Sequence, residues 1–192
     1  MNKTKEDRII ETASYLFREN SYLSVGVDKI ISESNVAKMT FYKYFPSKDI
    51  LIKNVLERRK LYIISEIENI IQETELALSK LKNIFLWFIN WFNSNQYTGC
   101  MFMKAQEEFP ESLVFKSITL DYKKWLLNVM TIIFKDLKYD DYDNYASLFL
   151  IIIDGLTVKA NLKLLTVKDI EFSWNILTSK ISNQDGTISL MN

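Results

Sequence analysis

The spacing of apolar and polar residues along the chain predicts a protein built only from α-helices. In residues 4–19, apolar side chains recur at positions i, i+4, i+7 and i+8 of one helical face: Ile9, Ala13, Leu16 and Phe17. Comparable spacing predicts further helices from about residue 27 and over residues 38–44, 47–73, 76–94, 100–108, 112–137, 141–165 and 167–181. Residues 183–192 are expected to form a frayed tail. Only four glycines and two prolines interrupt 192 residues, so the expected fold class is all-α.

Two of the predicted helices are short and are joined by a tight turn. The helix that begins near Val27 ends at Ser32–Asn35, where Asn35 is expected to adopt the left-handed conformation that closes the turn. The next helix, over 38–44, turns Phe41 and Phe45 toward the first helix. Two short helices joined in this way form a helix-turn-helix unit, whose second helix enters the major groove of DNA.

Charge is distributed unevenly along the chain, although the formal net charge is zero. Residues 1–60 contain 12 Lys and Arg against 8 Asp and Glu, whereas residues 61–192 contain 12 against 16. A basic N-terminal third is the expected electrostatic footprint of a module that binds phosphate groups.

The composition argues against an enzyme. Histidine is absent, which removes the commonest general base and metal ligand, and no glycine-rich nucleotide motif occurs. We therefore predict no catalytic residue, no metal site and no cofactor.

Cys100 is the single cysteine, and the apolar runs at 84–89 and 148–153 are too short to span a bilayer. These features lead us to expect a cytoplasmic protein without a membrane partner.

Residues 27–48 resemble the DNA-binding signature of the TetR (tetracycline-repressor-like) family of bacterial regulators. The most specific part is VAKMTFYKYFPSK at 36–48, in which Phe45 follows Tyr42 by three residues and Lys48 follows Phe45 by three. Two later segments are similar to the sixth and eighth helices of many members: TGCMFMKAQEEFPES at 98–112 and IIIDGL at 151–156. The resemblance implies a helix-turn-helix domain over 1–46, and a helical bundle for dimerisation and ligand binding over 47–192, with helix 47–73 as the connector.

The resemblance also implies which residues face DNA: Lys38, Met39, Thr40, Tyr42, Lys43, Tyr44 and Lys48. Their chemistry agrees, because lysine can reach a guanine edge or a phosphate, methionine can pack on a thymine methyl group, and tyrosine can donate to phosphate oxygens. The chain departs from the family pattern at three positions. Gly26 and Ala37 stand where Ser or Thr usually caps a helix, and Met39 replaces a frequent glycine.

The predicted bundle is rich in aromatic and thioether side chains, which are typical of apolar ligand pockets. The residues predicted to bind a small hydrophobic effector are Trp87, Phe88, Trp91, Met101, Phe102, Trp125 and Met130, with Glu108 as the counter-charge if the effector is cationic. Plain core packing explains the same residues equally well. The helix around IIIDGL is apolar nearly all round, so we expect burial on two sides, with Gly155 allowing a close helix approach at a dimer interface.

These expectations combine into one hypothesis. The chain would be a homodimeric repressor that binds double-stranded DNA at a palindromic operator and is released by a small-molecule effector. One alternative is a helix-turn-helix adaptor that acts through protein–protein contacts without ligand control. A second alternative is an enzyme in which the helix-turn-helix is incidental.

Overall fold

The computed structural model describes residues 3–181, and within that range it consists of α-helices joined by short turns. The helices are α1 Lys5–Glu19, α2 Val27–Ser34, α3 Lys38–Tyr44, α4 Lys48–Glu73, α5 Ala77–Phe92, α6 Met101–Glu108, α7 Leu113–Asp136, α8 Tyr142–Asn161 and α9 Val167–Leu177. The described part of the chain contains no strand, so the all-α prediction is confirmed. The tail predicted over 183–192 lies outside the described residues. Among residues 3–181, no helix is both long and apolar enough to cross a bilayer.

Side-chain caps set the beginnings of several helices. The Thr4 hydroxyl accepts a hydrogen bond from the Asp7 N–H at 3.0 Å, and the Asp7 carboxylate accepts one from the Thr4 N–H, which forms a capping box. Thr166 and Asp169 repeat the arrangement at α9. Ser47 caps α4 by accepting from the Ile50 N–H at 3.2 Å. These groups satisfy N–H donors that the first turn of a helix leaves unpaired.

The turn between α2 and α3 closes at Asn35. This residue has φ 51° and ψ 50°, which is the left-handed conformation predicted for it. Its N–H donates to the carbonyl groups at the end of α2, and α3 begins three residues later at Lys38. The turn therefore fixes the direction in which α3 leaves α2.

The chain folds as two compact units. One unit comprises the residues up to Ile64 together with Cys100–Asp121, and the other comprises Ser65–Gly99 and the residues from Tyr122 onward. Helix α6 therefore belongs to the same unit as the helix-turn-helix. The functional boundary expected at residue 46 falls inside the first unit, and it stays a prediction.

In the first unit, α1, α2 and α3 pack around a small apolar core. Ile9, Phe17 and Ile30 are fully buried, and they are joined by Phe41 and Phe45 from α3 and the residue after it. The rings of Phe41 and Phe45 lie 6.0 Å apart. Because a helix of seven residues is marginal by itself, this burial is what holds α3 in place.

In the second unit, α8 packs against α5 and α9. Phe85 and Trp174 lie 5.6 Å apart between ring centroids, and Phe88 lies 6.3 Å from Phe149. Trp174 is buried among these aromatic rings. The aromatic residues of α5 thus form the centre of this unit.

Candidate DNA-binding surface and effector region

Helix α3 presents most of the predicted DNA contacts on one exposed surface. Phe41 of this helix and Phe45, the residue that follows the helix, are buried, and this fixes the face that remains outward. Met39 is 84% exposed, although it is a large apolar side chain. The other exposed side chains on this helix are Lys38, Tyr42, Lys43 and Tyr44, while Thr40 is half-buried. A two-turn helix with basic, aromatic and thioether groups outward can contact base edges and phosphates at once.

The N-terminal residue of α3 has a partner that the sequence did not reveal. Lys38 Nζ donates a hydrogen bond to Asp28 Oδ1 of α2 at 3.1 Å. This hydrogen bond, together with the carboxylate charge, raises the pKa of Lys38 above its ordinary value. The signal that could have indicated the pair is the presence of opposite charges in the first turns of two helices joined by a tight turn.

Lys48 is held differently from the lysines of α3. Its ammonium group donates to the Leu23 carbonyl at 3.3 Å, and the side chain is half-buried. Burial lowers the pKa of Lys48, while the nearby charge of Glu108 opposes that effect. The loop between α1 and α2 therefore positions this predicted phosphate contact.

Two charged side chains of α6, Lys104 and Glu108, form hydrogen bonds with backbone groups at the end of α1 and in the same loop. We call this pair of side chains the α6 clamp. The Glu108 carboxylate accepts hydrogen bonds from the N–H groups of Tyr22 and Leu23, at 3.1 and 2.8 Å. Lys104 Nζ donates to three carbonyl groups at the end of α1 and just beyond it, at 3.1, 3.0 and 3.0 Å: Phe17, Arg18 and Asn20.

Tyr22 completes the contact between this loop and α6. Its side chain is fully buried, and its hydroxyl donates to the Met101 carbonyl at 3.1 Å. Burial is the main reason that the pKa of Tyr22 is raised, and the neighbouring Cys100 and Glu108 add to it. Sequence reasoning missed Tyr22 and Lys104, and it assigned Glu108 to the effector. In the structure both Glu108 oxygens bind backbone N–H groups, so its predicted role toward an effector remains without support.

The residues predicted to bind an effector do not all lie in one unit. Met101 and Phe102 are buried in the first unit, which also contains Glu108. The other five lie in the second unit: Trp87, Phe88, Trp91, Trp125 and Met130. The three tryptophans are half-buried, and Trp87 Nε1 donates to Glu66 Oε2 at 3.4 Å. Their binding role stays a prediction.

A cavity of about 390 Å³ lies elsewhere in the second unit. Its walls are formed by Leu78, Leu137, Lys138, Tyr139, Asp140, Lys180 and Ile181. None of the eight predicted effector residues lines this cavity. Burial raises the pKa of Tyr139 to about 12, and its hydroxyl donates to the Leu177 carbonyl at 2.8 Å.

Across residues 3–181, no group of His, Cys, Asp and Glu side chains has the arrangement of a metal site.

The outward face of α8 carries an apolar stripe. Ile151, Val158 and Leu162 are 65%, 59% and 60% exposed, and with Gly155 they follow one another at helical spacing. A Cβ atom at Gly155 would meet nothing within 4 Å, so packing inside the chain does not require this glycine. The adjacent Asp154 pairs with Lys123 of α7. The second buried side expected for this helix is therefore open within a single chain.

Known proteins resemble the chain both in sequence and in fold. Residues 9–55 match the family described as "Bacterial regulatory proteins, tetR family". The uncharacterized HTH-type transcriptional regulator YuxN of Bacillus subtilis is 46% identical over 54 residues, which are 28% of this chain and 19% of that protein. The HTH-type transcriptional regulator EthR of Mycolicibacterium smegmatis is 26% identical over 126 residues, which are 64% of this chain and 56% of that protein. The chain thus spans only part of the length of both curated relatives.

The fold has a close counterpart among solved structures. The TetR-family transcriptional regulator SCO4454 from Streptomyces coelicolor superposes with a TM-score of 0.84 at 22% identity. The superposition covers 91% of this chain and 95% of that one. The likeness at this level of identity concerns the fold, and it extends well beyond the helix-turn-helix.

The fold and the exposed α3 surface define an all-α helix-turn-helix protein. Residues 9–55 match the model of the tetR family of bacterial regulatory proteins, so the helix-turn-helix segment is similar to those of that family, and the fold is similar to that of SCO4454. Both curated relatives are named HTH-type transcriptional regulators, which is consistent with the prediction of a non-enzyme.

Proposed function

We propose that this protein is a DNA-binding transcriptional repressor that acts as a homodimer on a palindromic operator and is released by a small hydrophobic effector. The exposed face of α3 is the single observation that carries the DNA-binding part. Met39, Tyr42 and Lys43 point outward while Phe41 and Phe45 are buried, so the helix offers base-reading and phosphate-binding groups on one side. A protein with this function acts in the bacterial cytoplasm, where the chromosome lies.

The apolar stripe of α8 supports the homodimer. A stripe of this length is unfavourable in water, and Gly155 within it gives room for the backbone of another helix to approach closely. On α9, Phe172 is also exposed. A two-fold dimer that reads successive major grooves holds its recognition helices about 34–36 Å apart, one helical turn of DNA, and its two-fold symmetry is matched by a palindromic site.

The proposed effector site lies in the second unit among five residues: Trp87, Phe88, Trp91, Trp125 and Met130. Half-buried tryptophans offer large apolar faces, and Glu66 places a carboxylate beside Trp87. This combination suits an aromatic or cationic hydrophobic molecule. Glu108 is left out of the site because it already accepts two backbone hydrogen bonds.

Release from DNA follows from differential binding. An effector that binds more tightly to a conformation with the wrong spacing of recognition helices weakens DNA binding by that difference in binding energy, and by no more than that.

The DNA-binding part is tested by measuring binding of the full-length protein to the DNA upstream of its own coding sequence, with random duplex as the reference, over a salt series. We expect a footprint with two-fold symmetry. Lys43→Ala should weaken binding to both duplexes and reduce the salt slope by about one phosphate contact. Lys53→Ala, which alters an exposed lysine on α4, is the matched control. Equal affinity for both duplexes without a footprint would refute the proposal and favour the adaptor.

The effector part is tested by tryptophan fluorescence. Tetraphenylphosphonium, a hydrophobic aromatic cation, should quench the emission, and Glu66→Gln should weaken this effect more than it weakens binding of an uncharged aromatic compound of similar size. The proposal for this site would be refuted if both compounds bound equally to the wild type and the variant, or if neither bound. A reporter gene placed behind the footprinted DNA distinguishes repression from activation.

A further inference from the structure

One ion pair links the first turns of α2 and α3 on the exposed side of the helix-turn-helix. It joins Lys38 Nζ to Asp28 Oδ1 at 3.1 Å, and the two side chains are 63% and 84% exposed. Exposed pairs of this kind contribute little to stability, because water screens the charges and both side chains lose freedom. The ion pair therefore adds little stability beyond the favourable position of the Asp28 carboxylate in the first turn of α2.

A carboxylate beside the DNA-facing helix is unfavourable for binding DNA in general, because it repels phosphate groups. The predicted DNA contacts carry a positive charge, a hydroxyl group or an apolar tip. Asp28 is not one of these contacts, and its carboxylate accepts a hydrogen bond from the lysine at the beginning of α3. The carboxylate offsets the charge of that lysine and fixes the direction of its ammonium group.

We propose that Asp28 is a specificity-determining residue, which directs the Lys38 ammonium group to the N7 and O6 atoms of a guanine rather than to a phosphate. The inference rests on the proposed DNA-binding function and deepens it by naming the base. Asp28 is a positioning residue in this arrangement, and Lys38 is the group that touches DNA.

The count of hydrogen-bond donors explains the choice of guanine. A lysine ammonium group has three N–H donors and no acceptor. One donor is engaged by Asp28, which leaves two. Guanine presents two acceptors in the major groove, N7 and O6, whereas adenine presents one acceptor beside an amino donor. An ammonium group held by Asp28 is therefore matched to guanine and mismatched to adenine.

Asp28 also has an effect on binding to DNA of any sequence. When the carboxylate is removed, Lys38 is released to contact a phosphate. One additional phosphate contact steepens the dependence of log K on log salt by about 0.9. The variant should then lose about 3.5-fold more affinity than the wild type between 50 and 200 mM salt, as expected from that slope.

The experiment is selection of binding sites from a duplex pool with a randomised centre, using the full-length wild type, Asp28→Asn, Lys38→Met and the double variant. The wild type should select a guanine at one position of each half-site. Asp28→Asn should keep the rest of the half-site but lose this preference by about fivefold or more, an expectation set by the usual range for one base contact. Glu33→Gln removes the acid of another exposed pair on α2, with Lys29, and is the matched control.

The double variant shows whether Asp28 changes base preference through Lys38. If Asp28 acts through Lys38, Asp28→Asn will change base preference in the wild-type background but not in the Lys38→Met background. The inference alone is overturned if the wild type selects a defined site and Asp28→Asn selects the same site with the same preferences. If the wild type selects no site at all, both the inference and the proposed function are overturned. Circular dichroism of each variant checks that the helices are intact.

Discussion

Removing the ammonium group of Lys104 is expected to destabilise the first unit strongly. Lys104→Met keeps most of the length and apolar volume of the side chain but leaves the carbonyl groups of Phe17, Arg18 and Asn20 without their donor. These carbonyl groups lie where α1 ends, and a positive charge is favourable there because the carbonyl dipoles point toward it.

The size of the effect follows from the three hydrogen bonds. A hydrogen bond to a charged group contributes about 1.5–3 kcal/mol, so three would contribute roughly 4.5–9 kcal/mol if they were additive. They are not additive, because they share one ammonium group and the carbonyl groups regain water when it is removed. Burial also lowers the pKa of Lys104, which means that desolvation of the charge opposes part of the gain. We therefore expect a net loss of about 2–4 kcal/mol.

Thermal and urea unfolding, followed by circular dichroism at 222 nm, measure this loss. For a chain of this size each kcal/mol lowers the melting temperature by about 2–4 °C, so Lys104→Met should melt roughly 4–16 °C below the wild type. Lys53→Met, on the exposed side of α4, is the control and should change stability by less than about 0.5 kcal/mol. If Lys104→Met were as stable as that control, the reasoning that assigns Lys104 a stabilising role at the end of α1 would be refuted.

Two further predictions concern acid stability and assembly. Hydrogen bonds from Thr4 and Arg58 lower the pKa of Asp7 from its ordinary value of 3.8 to about 2, so its stabilising effect is present above pH 4 and is lost as the pH falls through about 2. Urea unfolding should therefore show that Asp7→Asn is less stable than the wild type at pH 7 and pH 4, and that this difference in stability disappears toward pH 2. Asp121→Asn is the control. A difference that does not change with pH would contradict the assignment of this effect to Asp7. Light scattering coupled to size-exclusion chromatography should give about twice 22.6 kDa for the wild type and the monomer mass for Val158→Glu. Val114→Glu, which alters an exposed valine of α7, should remain dimeric, and a dimeric Val158→Glu variant would show that the α8 stripe is not the interface.

The local features of the helix-turn-helix could be predicted from sequence because neighbouring residues determine them. Phe41 and Phe45 are four residues apart on one helical face, which is enough to identify the buried side of α3. Asn35 tolerates the left-handed conformation, and it lies where the apolar pattern breaks. The position of α3 and its outward residues followed from these two facts.

Contacts between distant parts of the chain could not be predicted in this way. Glu108 lies 86 residues from Tyr22, and Lys104 lies 87 from Phe17, so no local pattern relates them. The sequence therefore indicated Glu108 only as a counter-charge for a cationic effector, which stays a prediction, and it did not indicate the hydrogen bonds that Glu108 accepts from backbone N–H groups. The ion pair between Asp28 and Lys38 joins two different helices, so the pattern within either helix did not indicate it.

The predicted C-terminal end of α8 was wrong, and the structure gives the reason. The helix was expected to continue to residue 165, but it ends at Asn161. Lys163 adopts a φ of 57°, and the N–H groups of Lys163 and Leu164 turn back to the carbonyl groups of Ala160 and Lys159. The sequence does not indicate that this lysine adopts the left-handed conformation, because glycine or asparagine is the usual residue at such a position.

The α6 clamp has a consequence for protein engineering. Hybrid regulators are made by joining the DNA-binding segment of one protein to the sensing segment of another, and residue 46 would be the natural point of exchange from the sequence. A hybrid cut there leaves Lys104, Glu108 and the Met101 carbonyl behind, so the loop at Tyr22 and Leu23 loses every partner it has on α6. The transplantable part of this chain is thus discontinuous, since the residues up to Ile64 must be accompanied by Cys100–Asp121.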